Sequence, residues 1–390
     1  MAFVNHDGLR VYYRLEGRSD RPFLVLAHSL GLDHTMWDEQ VPDLLAHFRV
    51  LRYDVRGHGA TDAPAGEYAI EQLGRDALGL LDKLNVSSGA WCGVSLGGMI
   101  GQWLAVHAPE RLSALILANT SPRVADPAGM DARRETVLAR GMTGVVDTVM
   151  SRFFVPALLE ANPPRVASSR ETLLTTNPTG YAGCCAALRD FDGTSDLGRI
   201  RARTLVISGD ADVAMPWDQH GQLLARAIPG AATVRLGTGH LSNVALPRTF
   251  TRAMLEFLLT RPGDSFEAGV DVRRAVLGAE YVAHKLVTTT SFTQDYQDLI
   301  TRYAWGAVWS RPGLDHRTRR LLVLATMCAL GRWDEFHLHL TAALDAGLEW
   351  TDVEEVLLQT AVYAGVPAAN TGFKIAAEEL GRRFTQSGAV

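Results

Sequence analysis

The pentapeptide Gly93-Val94-Ser95-Leu96-Gly97 decides the fold of the first two thirds of the chain. The apolar run at 90–94 predicts a buried strand before the serine, and residues 98–107 predict a helix after it. Such a junction needs small residues beside the serine, because the backbone of the turn is strained and side chains would clash with it. We therefore expect Ser95 to be the nucleophile of an α/β-hydrolase, with the Leu96 N–H as an oxyanion donor at the start of the helix.

The surrounding sequence alternates short apolar runs with helical patterns. The runs that predict buried strands are residues 23–27, 50–53, 90–94, 114–118, 204–208 and 232–236. Continuous apolar strands separated by helices are typical of a parallel sheet covered on both faces, in which the chemistry lies beyond the carboxyl ends of the strands. Residues 122–197 are mostly helical in pattern and predict a cap over the active site.

The periodicity breaks where Pro262, Gly263 and Asp264 occur together. We therefore expect a first domain at 1–260, a linker at 261–269 and a second domain at 270–390. Because strand patterns vanish after the linker, the second domain is expected to be all-α. The fold class is thus α/β, an α/β-hydrolase with a mostly parallel sheet and a helical cap, followed by an all-α domain.

The composition restricts the class of function. The 390 residues are 47% hydrophobic and carry a net charge of −5, so no basic excess exists to neutralise the phosphates of nucleic acid. The sequence shows neither a transmembrane run nor a secretory signal pattern, and we expect a cytoplasmic protein without a membrane role. The cysteines have neither metal-binding nor disulfide spacing, and we expect buried reduced thiols at Cys92, Cys184, Cys185 and Cys328.

The partners of the serine follow in the chain order serine, acid, histidine. Asp212 comes after the strand at 204–208, and His240 comes after the strand at 232–236. His240 would take the serine proton and return it to the leaving group, while Asp212 would hold the imidazole tautomer. Asp210 is the competing acid, and Asp212 is favoured because it lies further out on the loop.

The loop after the first buried strand reads His28-Ser29-Leu30-Gly31. We expect the backbone N–H of Leu30 to be the second oxyanion donor. His28 could be a second catalytic histidine or could brace the loop, and the second role is favoured.

The N-terminal domain resembles the 3-oxoadipate enol-lactonases, which are α/β-hydrolases of the β-ketoadipate pathway of aromatic catabolism. The resemblance extends over essentially all of residues 1–260, and is carried by Leu117-Ala118-Asn119-Thr120, Gly180-Tyr181-Ala182-Gly183-Cys184-Cys185-Ala186-Ala187 and His240-Leu241-Ser242-Asn243. It implies the triad Ser95, Asp212 and His240. The implied substrate is an enol-lactone with an acetate side chain, and Arg133 and Arg189 are candidates to bind its carboxylate.

The C-terminal domain carries Glu335 and His339 four residues apart, so the two share one face of a helix. Such a pair could bind a metal ion or could be a surface pair without function. The domain also resembles the 4-carboxymuconolactone decarboxylases, whose all-helical fold is shared with the AhpD peroxidases. The residues that carry this resemblance are Val272-Arg273-Arg274-Ala275-Val276-Leu277-Gly278, Tyr303-Ala304-Trp305-Gly306, Trp309-Ser310-Arg311-Pro312-Gly313-Leu314 and the stretch from Leu357 to Asn370.

This second resemblance implies a decarboxylase that needs neither metal nor cofactor, because the electrons left behind spread onto the lactone carbonyl as a dienolate. His339 is then the proton donor or oxyanion partner, and Glu335 orients it or shuttles the proton. Arg317 and Arg319 are candidates to bind carboxylates. A dithiol peroxidase mechanism is excluded, since Cys328 is the only cysteine of the domain. Related decarboxylases assemble through this domain, so a homo-oligomer is expected.

The product of the second domain would be the substrate of the first. We therefore predict a bifunctional enzyme that acts on small lactones, converting 4-carboxymuconolactone to 3-oxoadipate enol-lactone and then to 3-oxoadipate. Two alternatives remain open. One is another serine esterase with a C-terminal oligomerisation module, and the other is a ligand receptor built on a hydrolase triad.

Overall fold

The N-terminal part of the chain is built around one eight-stranded sheet. The computed structural model describes residues 2–259, 266–290 and 292–386. The strands are β1 (Ala2–His6), β2 (Leu9–Glu16), β3 (Phe23–Ala27), β4 (Arg49–Tyr53), β5 (Gly89–Val94), β6 (Leu112–Ala118), β7 (Thr204–Gly209) and β8 (Ala232–Leu236). Their order is β1-β2-β4-β3-β5-β6-β7-β8; β1 and β2 pair antiparallel, as do β2 and β4, and the remaining neighbours are parallel.

The parallel strands agree with the six apolar runs of the sequence. Every residue of β5 and β7 is buried, because helices cover both faces of the sheet at its centre. The first two strands, in contrast, were not predicted. They form a hairpin whose turn residues, Asp7 and Gly8, both have positive φ, at 46° and 79°. An Asp-Gly pair is the usual signal for such a tight turn, and it could have revealed the hairpin.

Helices follow most of the strands and cover the sheet. In the N-terminal part they are α1 (Val41–Leu44), α2 (Ile70–Lys83), α3 (Leu96–His107), α4 (Pro127–Arg140), α5 (Val146–Phe153), α6 (Pro156–Ala161), α7 (Pro164–Thr175), α8 (Pro178–Asp190), α9 (Gly221–Ala227), α10 (Ser242–Ala245) and α11 (Pro247–Leu259). Short 3₁₀ turns occur at His34–Trp37, Pro109–Arg111, Met142–Gly144 and Thr194–Arg199.

The cap consists of α4 to α8, inserted between β6 and β7, where the sequence predicted a helical segment at 122–197. Four of these five helices begin with a proline, whose fixed φ favours the first helical position and whose missing N–H is not needed there.

The chain divides into two units, Met1–Leu259 and Thr260–Val390. The described secondary structure of the second unit is all helical, as predicted. It comprises α12 (Phe266–Leu277), α13 (Ala279–Val287), α14 (Gln294–Ile300), a π-helical segment (Thr301–Trp309), α15 (His316–Ala329), α16 (Trp333–Asp345), α17 (Trp350–Ala364) and α18 (Val366–Gln386). No helix among the described residues is long and apolar enough to cross a membrane.

The linker prediction needs one correction. Residues 266–269 were assigned to the linker, but they form the first turn of α12. The turn is helical because Val270 is buried in the core of the second unit and Phe266 packs against that core. Residues 261–265, the rest of the predicted linker, lie outside the described residues.

Candidate active site

Ser95 lies on a sharp turn between β5 and α3. Its φ and ψ are 54° and −111°, a strained conformation for a residue with a side chain. The turn is tight enough that a Cβ on Gly97 would lie 2.3 Å from the carbonyl oxygen of Ala27, and one on Gly93 would lie 2.1 Å from the backbone of Gly97. The two glycines of the pentapeptide are therefore required by space, and Ser95 is 5% exposed at the carboxyl edge of the sheet.

The structure places Asp212 and His240 in direct contact after β7 and β8. His240 Nδ1 lies 2.8 Å from Asp212 Oδ2, and both residues are almost fully buried. Asp210, the competing acid, is instead exposed and pairs with Arg235 at 2.5 Å. The geometry thus favours Asp212 as the acid.

The Asp212 carboxylate is charged at neutral pH. Burial opposes its ionisation, but the charge and hydrogen bond of His240, the N–H of Met215 and the Asn119 amide outweigh burial and lower the pKa to about 2. A carboxylate can only accept, so His240 donates from Nδ1 and its Nε2 carries the lone pair. That nitrogen is the one that a general base needs.

His240 and Ser95 line one cavity beneath the cap, together with Leu30. The loop that carries Leu30 packs on the serine turn, where the Gly97 N–H donates to the His28 carbonyl at 3.2 Å. Leu96 is the first residue of α3, and N–H groups at a helix start have no partner within the helix. Both predicted oxyanion donors therefore belong to segments that meet at the serine.

His28 is used to brace this loop. Its Nε2 accepts from the Val55 N–H at 2.8 Å and its Nδ1 donates to the Ser29 carbonyl at 2.8 Å. Because both ring nitrogens are engaged and burial lowers the pKa of His28, this residue is a neutral structural histidine.

The structure separates the two predicted cap arginines. Arg133 lines the cavity of Ser95, whereas Arg189 does not. Arg189 lies at the end of α8, where Asp190, Glu67 and Asp131 surround its guanidinium at 2.7 to 2.8 Å. Three carboxylates already satisfy this charge, so the structure argues against the predicted role of Arg189 in substrate binding.

Sequence reasoning missed Arg152, which lines the same cavity as Arg133. Burial lowers the pKa of Arg152, and the neighbouring charge of Arg133 lowers it further. Neither guanidinium pairs with a carboxylate within the part of the chain that the structure describes. The helical spacing could have revealed Arg152. It follows Val149 by three residues on α5, so the two side chains share one face of the helix, and Val149 also lines the cavity.

In the second unit, His339 on α16 lies against two tryptophans. Its ring is nearly parallel to those of Trp305 and Trp309, with centroids 6.3 and 6.5 Å away. Burial lowers the pKa of His339 to about 4, the charge of Arg320 adds to this, and Glu335 opposes it. The imidazole is therefore neutral at pH 7. Glu335 is exposed one turn earlier on the same helix.

The arginines predicted for this unit do not contribute to the His339 surroundings. Arg317 is exposed and pairs with Asp352 at 2.7 Å, and Arg319 donates to the carbonyls of Arg311 and Leu314. Both charges serve helix ends and loops, which corrects their assignment to substrate binding.

Arg320 is the residue that sequence reasoning missed here. It is 7% exposed, its Nη2 donates to the Ala275 and Val276 carbonyls at 3.2 Å, and its Nε has no partner among the described residues. Its spacing of four residues from the buried Leu324 and eight from the buried Cys328 was a signal that it faces inward.

One group of described residues has the spacing of metal ligands, namely Asp33, His34 and Asp54. These groups already bind one another and the backbone. Asp54 accepts from the N–H and Nδ1 of His34, and Asp33 caps the 3₁₀ turn through Thr35. The hydrogen bonds explain the cluster without an ion, and none of the three lines the Ser95 cavity.

Comparison with known proteins follows the division into two units. The model of the alpha/beta hydrolase fold family matches residues 22–244. The chain belongs to this family. The model of the carboxymuconolactone decarboxylase family matches residues 294–378, and the second unit belongs to that family. Both resemblances drawn from the sequence are thereby confirmed.

Individual relatives match the same two units as the family models. The chain is 38% identical over 242 residues to 3-oxoadipate enol-lactonase 2 of Acinetobacter baylyi, covering 62% of this chain and 90% of that protein. It is 42% identical over 113 residues to the 4-carboxymuconolactone decarboxylase of the same organism, covering 29% and 84%. The solved structure of the enol-lactonase from Burkholderia xenovorans LB400 superimposes with a TM-score of 0.65 at 38% identity, covering 66% of this chain and 100% of that one.

Proposed function

We propose that the chain is a bifunctional enzyme of the β-ketoadipate pathway. Its second unit decarboxylates 4-carboxymuconolactone to 3-oxoadipate enol-lactone, and its first unit hydrolyses that lactone to 3-oxoadipate. The observation that carries the proposal is the buried Asp212–His240 pair that shares a cavity with Ser95, in a chain whose two units resemble enzymes of consecutive reactions.

The geometry of the first unit supports the following course of hydrolysis. Ser95 Oγ attacks the lactone carbonyl carbon while His240 Nε2 takes its proton, and the oxyanion accepts hydrogen bonds from Leu30 and Leu96. The ring C–O bond then breaks, His240 Nε2 gives its proton to the departing enol oxygen, and the enol becomes a ketone by moving that proton to carbon. A water molecule, deprotonated by His240, releases the acid from Ser95.

Two cap arginines support an acidic substrate. Arg133 and Arg152 bring two positive charges to a cavity whose lining includes one carboxylate, Asp126, which accepts from the Gly129 N–H at the start of α4. A partly buried guanidinium without a carboxylate partner is costly, and a substrate carboxylate would supply the missing counter-charge. We assign the acetate group of the enol-lactone to these two residues.

The surroundings of His339 in the second unit support a cofactor-free decarboxylation. The carboxylate leaves as CO₂, and its bonding electrons pass through the ring double bond onto the lactone carbonyl oxygen. A neutral His339 N–H and the buried Arg320 can stabilise that oxygen, and carbon is protonated afterwards. Trp305 and Trp309 supply an apolar wall, which favours loss of charge from the carboxylate. Glu335 is close enough for its charge to affect His339 and is the candidate proton shuttle.

Assembly through the second unit is part of the proposal. This unit exposes many large apolar side chains, including Val287, Phe292, Tyr303, Val362, Tyr363 and Val366, all at least 60% exposed. Exposed apolar surface of this extent is typical of subunit contacts. We expect a homo-oligomer in light scattering, and Tyr363→Lys with Val362→Lys should yield a smaller species.

The two half-reactions can be tested separately. With 3-oxoadipate enol-lactone as substrate, Ser95→Ala should lose hydrolysis beyond the spontaneous rate, while His339→Ala should keep it. With 4-carboxymuconolactone and CO₂ release as the readout, His339→Ala should be inactive and Ser95→Ala active. If either variant abolished both activities while its thermal unfolding was unchanged, the division of labour would be wrong.

A further inference from the structure

Ser29 lines the Ser95 cavity and carries a hydroxyl that is unpaired among the described residues. The residue follows β3, is fully buried and lines the cavity together with Ser95 and His240. Its Oγ has no hydrogen-bond partner within the described parts of the chain. Buried hydroxyl groups are nearly always paired, so an unpaired one beside a catalytic serine calls for a ligand.

The loop itself does not need this hydroxyl. The N–H of Ser29 donates to Met36 Sδ at 3.3 Å, and its carbonyl accepts from His28 Nδ1 at 2.8 Å and from the Leu32 N–H at 3.2 Å. Every backbone polar atom of the residue is thus engaged. Alanine would satisfy the same backbone and would avoid a buried unpaired polar group.

We propose that the Ser29 hydroxyl is a third donor to the oxyanion of the acyl-transfer step, an inference that rests on the hydrolase function proposed above. Ser29 adjoins Leu30, and their loop is fixed to the serine turn by the hydrogen bond from the Gly97 N–H to the His28 carbonyl. The hydroxyl and the Leu30 N–H therefore belong to one rigid segment at the cavity.

The step balances without proton transfer from Ser29. The bond between Ser95 Oγ and the acyl carbon forms, the serine proton moves to His240 Nε2, and the carbonyl π electrons move to oxygen. That oxygen accepts hydrogen bonds from the N–H groups of Leu30 and Leu96 and from the Ser29 O–H. When the carbonyl re-forms, the ring C–O bond breaks, His240 Nε2 gives its proton to the departing enol oxygen, and Ser29 keeps its own proton.

Ser29→Ala tests the proposal, with Ser169→Ala as a matched control. Ser169 is also a buried serine, but its Oγ donates to the Arg165 carbonyl within α7 and it does not line the Ser95 cavity. We expect Ser29→Ala to lower kcat for enol-lactone hydrolysis about 100-fold, the lower end for loss of one oxyanion donor, with KM within about twofold. Its melting temperature should be equal or higher, because an unsatisfied hydroxyl is removed. Ser169→Ala should keep kcat.

A second measurement does not depend on the lactone. Propylboronic acid adds to a serine Oγ, the serine proton passes to the histidine, and a boron-bound oxygen occupies the oxyanion position. Ser29→Ala should weaken binding of this adduct at least about 10-fold, but binding of 3-oxoadipate less than about twofold. If wild type bound the boronate through Ser95 yet did not hydrolyse enol-lactone, the proposed function would fail. The boronate affinities of wild type and Ser29→Ala would still decide whether the Ser29 hydroxyl is an oxyanion donor.

Three results would overturn the proposal. Unchanged kcat and boronate affinity in Ser29→Ala would show that the hydroxyl is not a donor. A raised KM with unchanged kcat would show that it binds the substrate in its ground state. A lowered kcat with a lowered melting temperature and unchanged boronate affinity would show a structural role.

Discussion

Replacing Asp212 by asparagine should disable the histidine while leaving the shape of the site intact. The N–H groups of Ala214 and Met215 donate to Asp212 Oδ1 at 2.9 and 2.8 Å, so an oxygen is required at that position. The amide NH₂ of the variant must then occupy the Oδ2 position, where it meets the donors His240 Nδ1 and Asn119 Nδ2.

The variant therefore reverses one hydrogen bond. The new NH₂ group donates to His240 Nδ1, which places the imidazole proton on Nε2, the atom that must accept from Ser95. A histidine in that tautomer cannot act as a general base, and losses of about 10⁴-fold in kcat accompany this substitution in serine hydrolases. We expect a loss of about 10³- to 10⁴-fold in kcat for enol-lactone hydrolysis at pH 7, equivalent to about 4 to 5.5 kcal/mol of transition-state stabilisation.

The assay is the ultraviolet decay of enol-lactone, corrected for spontaneous hydrolysis. Asp210→Asn is the matched control, because Asp210 lies two residues away and pairs with the exposed Arg235. It should retain kcat within about twofold, a typical result for a surface substitution. Retention of more than a tenth of kcat by Asp212→Asn, or a large loss in Asp210→Asn, would refute the reasoning.

Three further predictions concern charge and space. The pKa of His339 is lowered to about 4, chiefly by burial, so the unfolded chain binds the proton first as pH falls below about 6.5. This one group should remove about 2 kcal/mol from the stability of its unit between pH 7.5 and pH 5, and in urea unfolding His339→Phe should lose that much less than wild type. Arg152→Gln should raise KM for the acidic enol-lactone about 10-fold or more but leave the KM of a neutral ester unchanged, and equal effects on both would contradict carboxylate binding. Gly97→Ala should lower the melting temperature and abolish hydrolysis, because its Cβ would lie 2.3 Å from the Ala27 carbonyl oxygen. Gly237→Ala should do neither, because a Cβ there would have no neighbour within 4 Å among the described residues.

The parts of the fold that the sequence predicted are those with one dominant physical cause. Parallel strands such as β3 and β5 lie between two layers of helices, so their sequences are apolar throughout and easily recognised. The strands β1 and β2, at one end of the sheet, are partly exposed and carry mixed residues, so the signal lay only in the Asp7-Gly8 turn.

Within the candidate site, Ser95, Asp212 and His240 could be predicted because each follows a strand of a parallel sheet and such strand ends converge. The sequence could not show which arginines form ion pairs and which line the cavity, since their partners come from distant parts of the chain. Arg189 pairs with Glu67, 122 residues away, and no local pattern reveals that contact. For Arg320 the helical spacing did predict a side chain that faces inward, but the substrate-binding role was predicted for the nearby Arg317 and Arg319 instead.

The measurement that tests the central claim most directly is a proton NMR time course with 4-carboxymuconolactone as the sole substrate. Wild-type chain should convert it to 3-oxoadipate, Ser95→Ala should accumulate the enol-lactone, and His339→Ala should leave the starting lactone unchanged. Formation of 3-oxoadipate by Ser95→Ala at the wild-type rate, or by His339→Ala at all, would contradict the assignment of the two reactions to the two units.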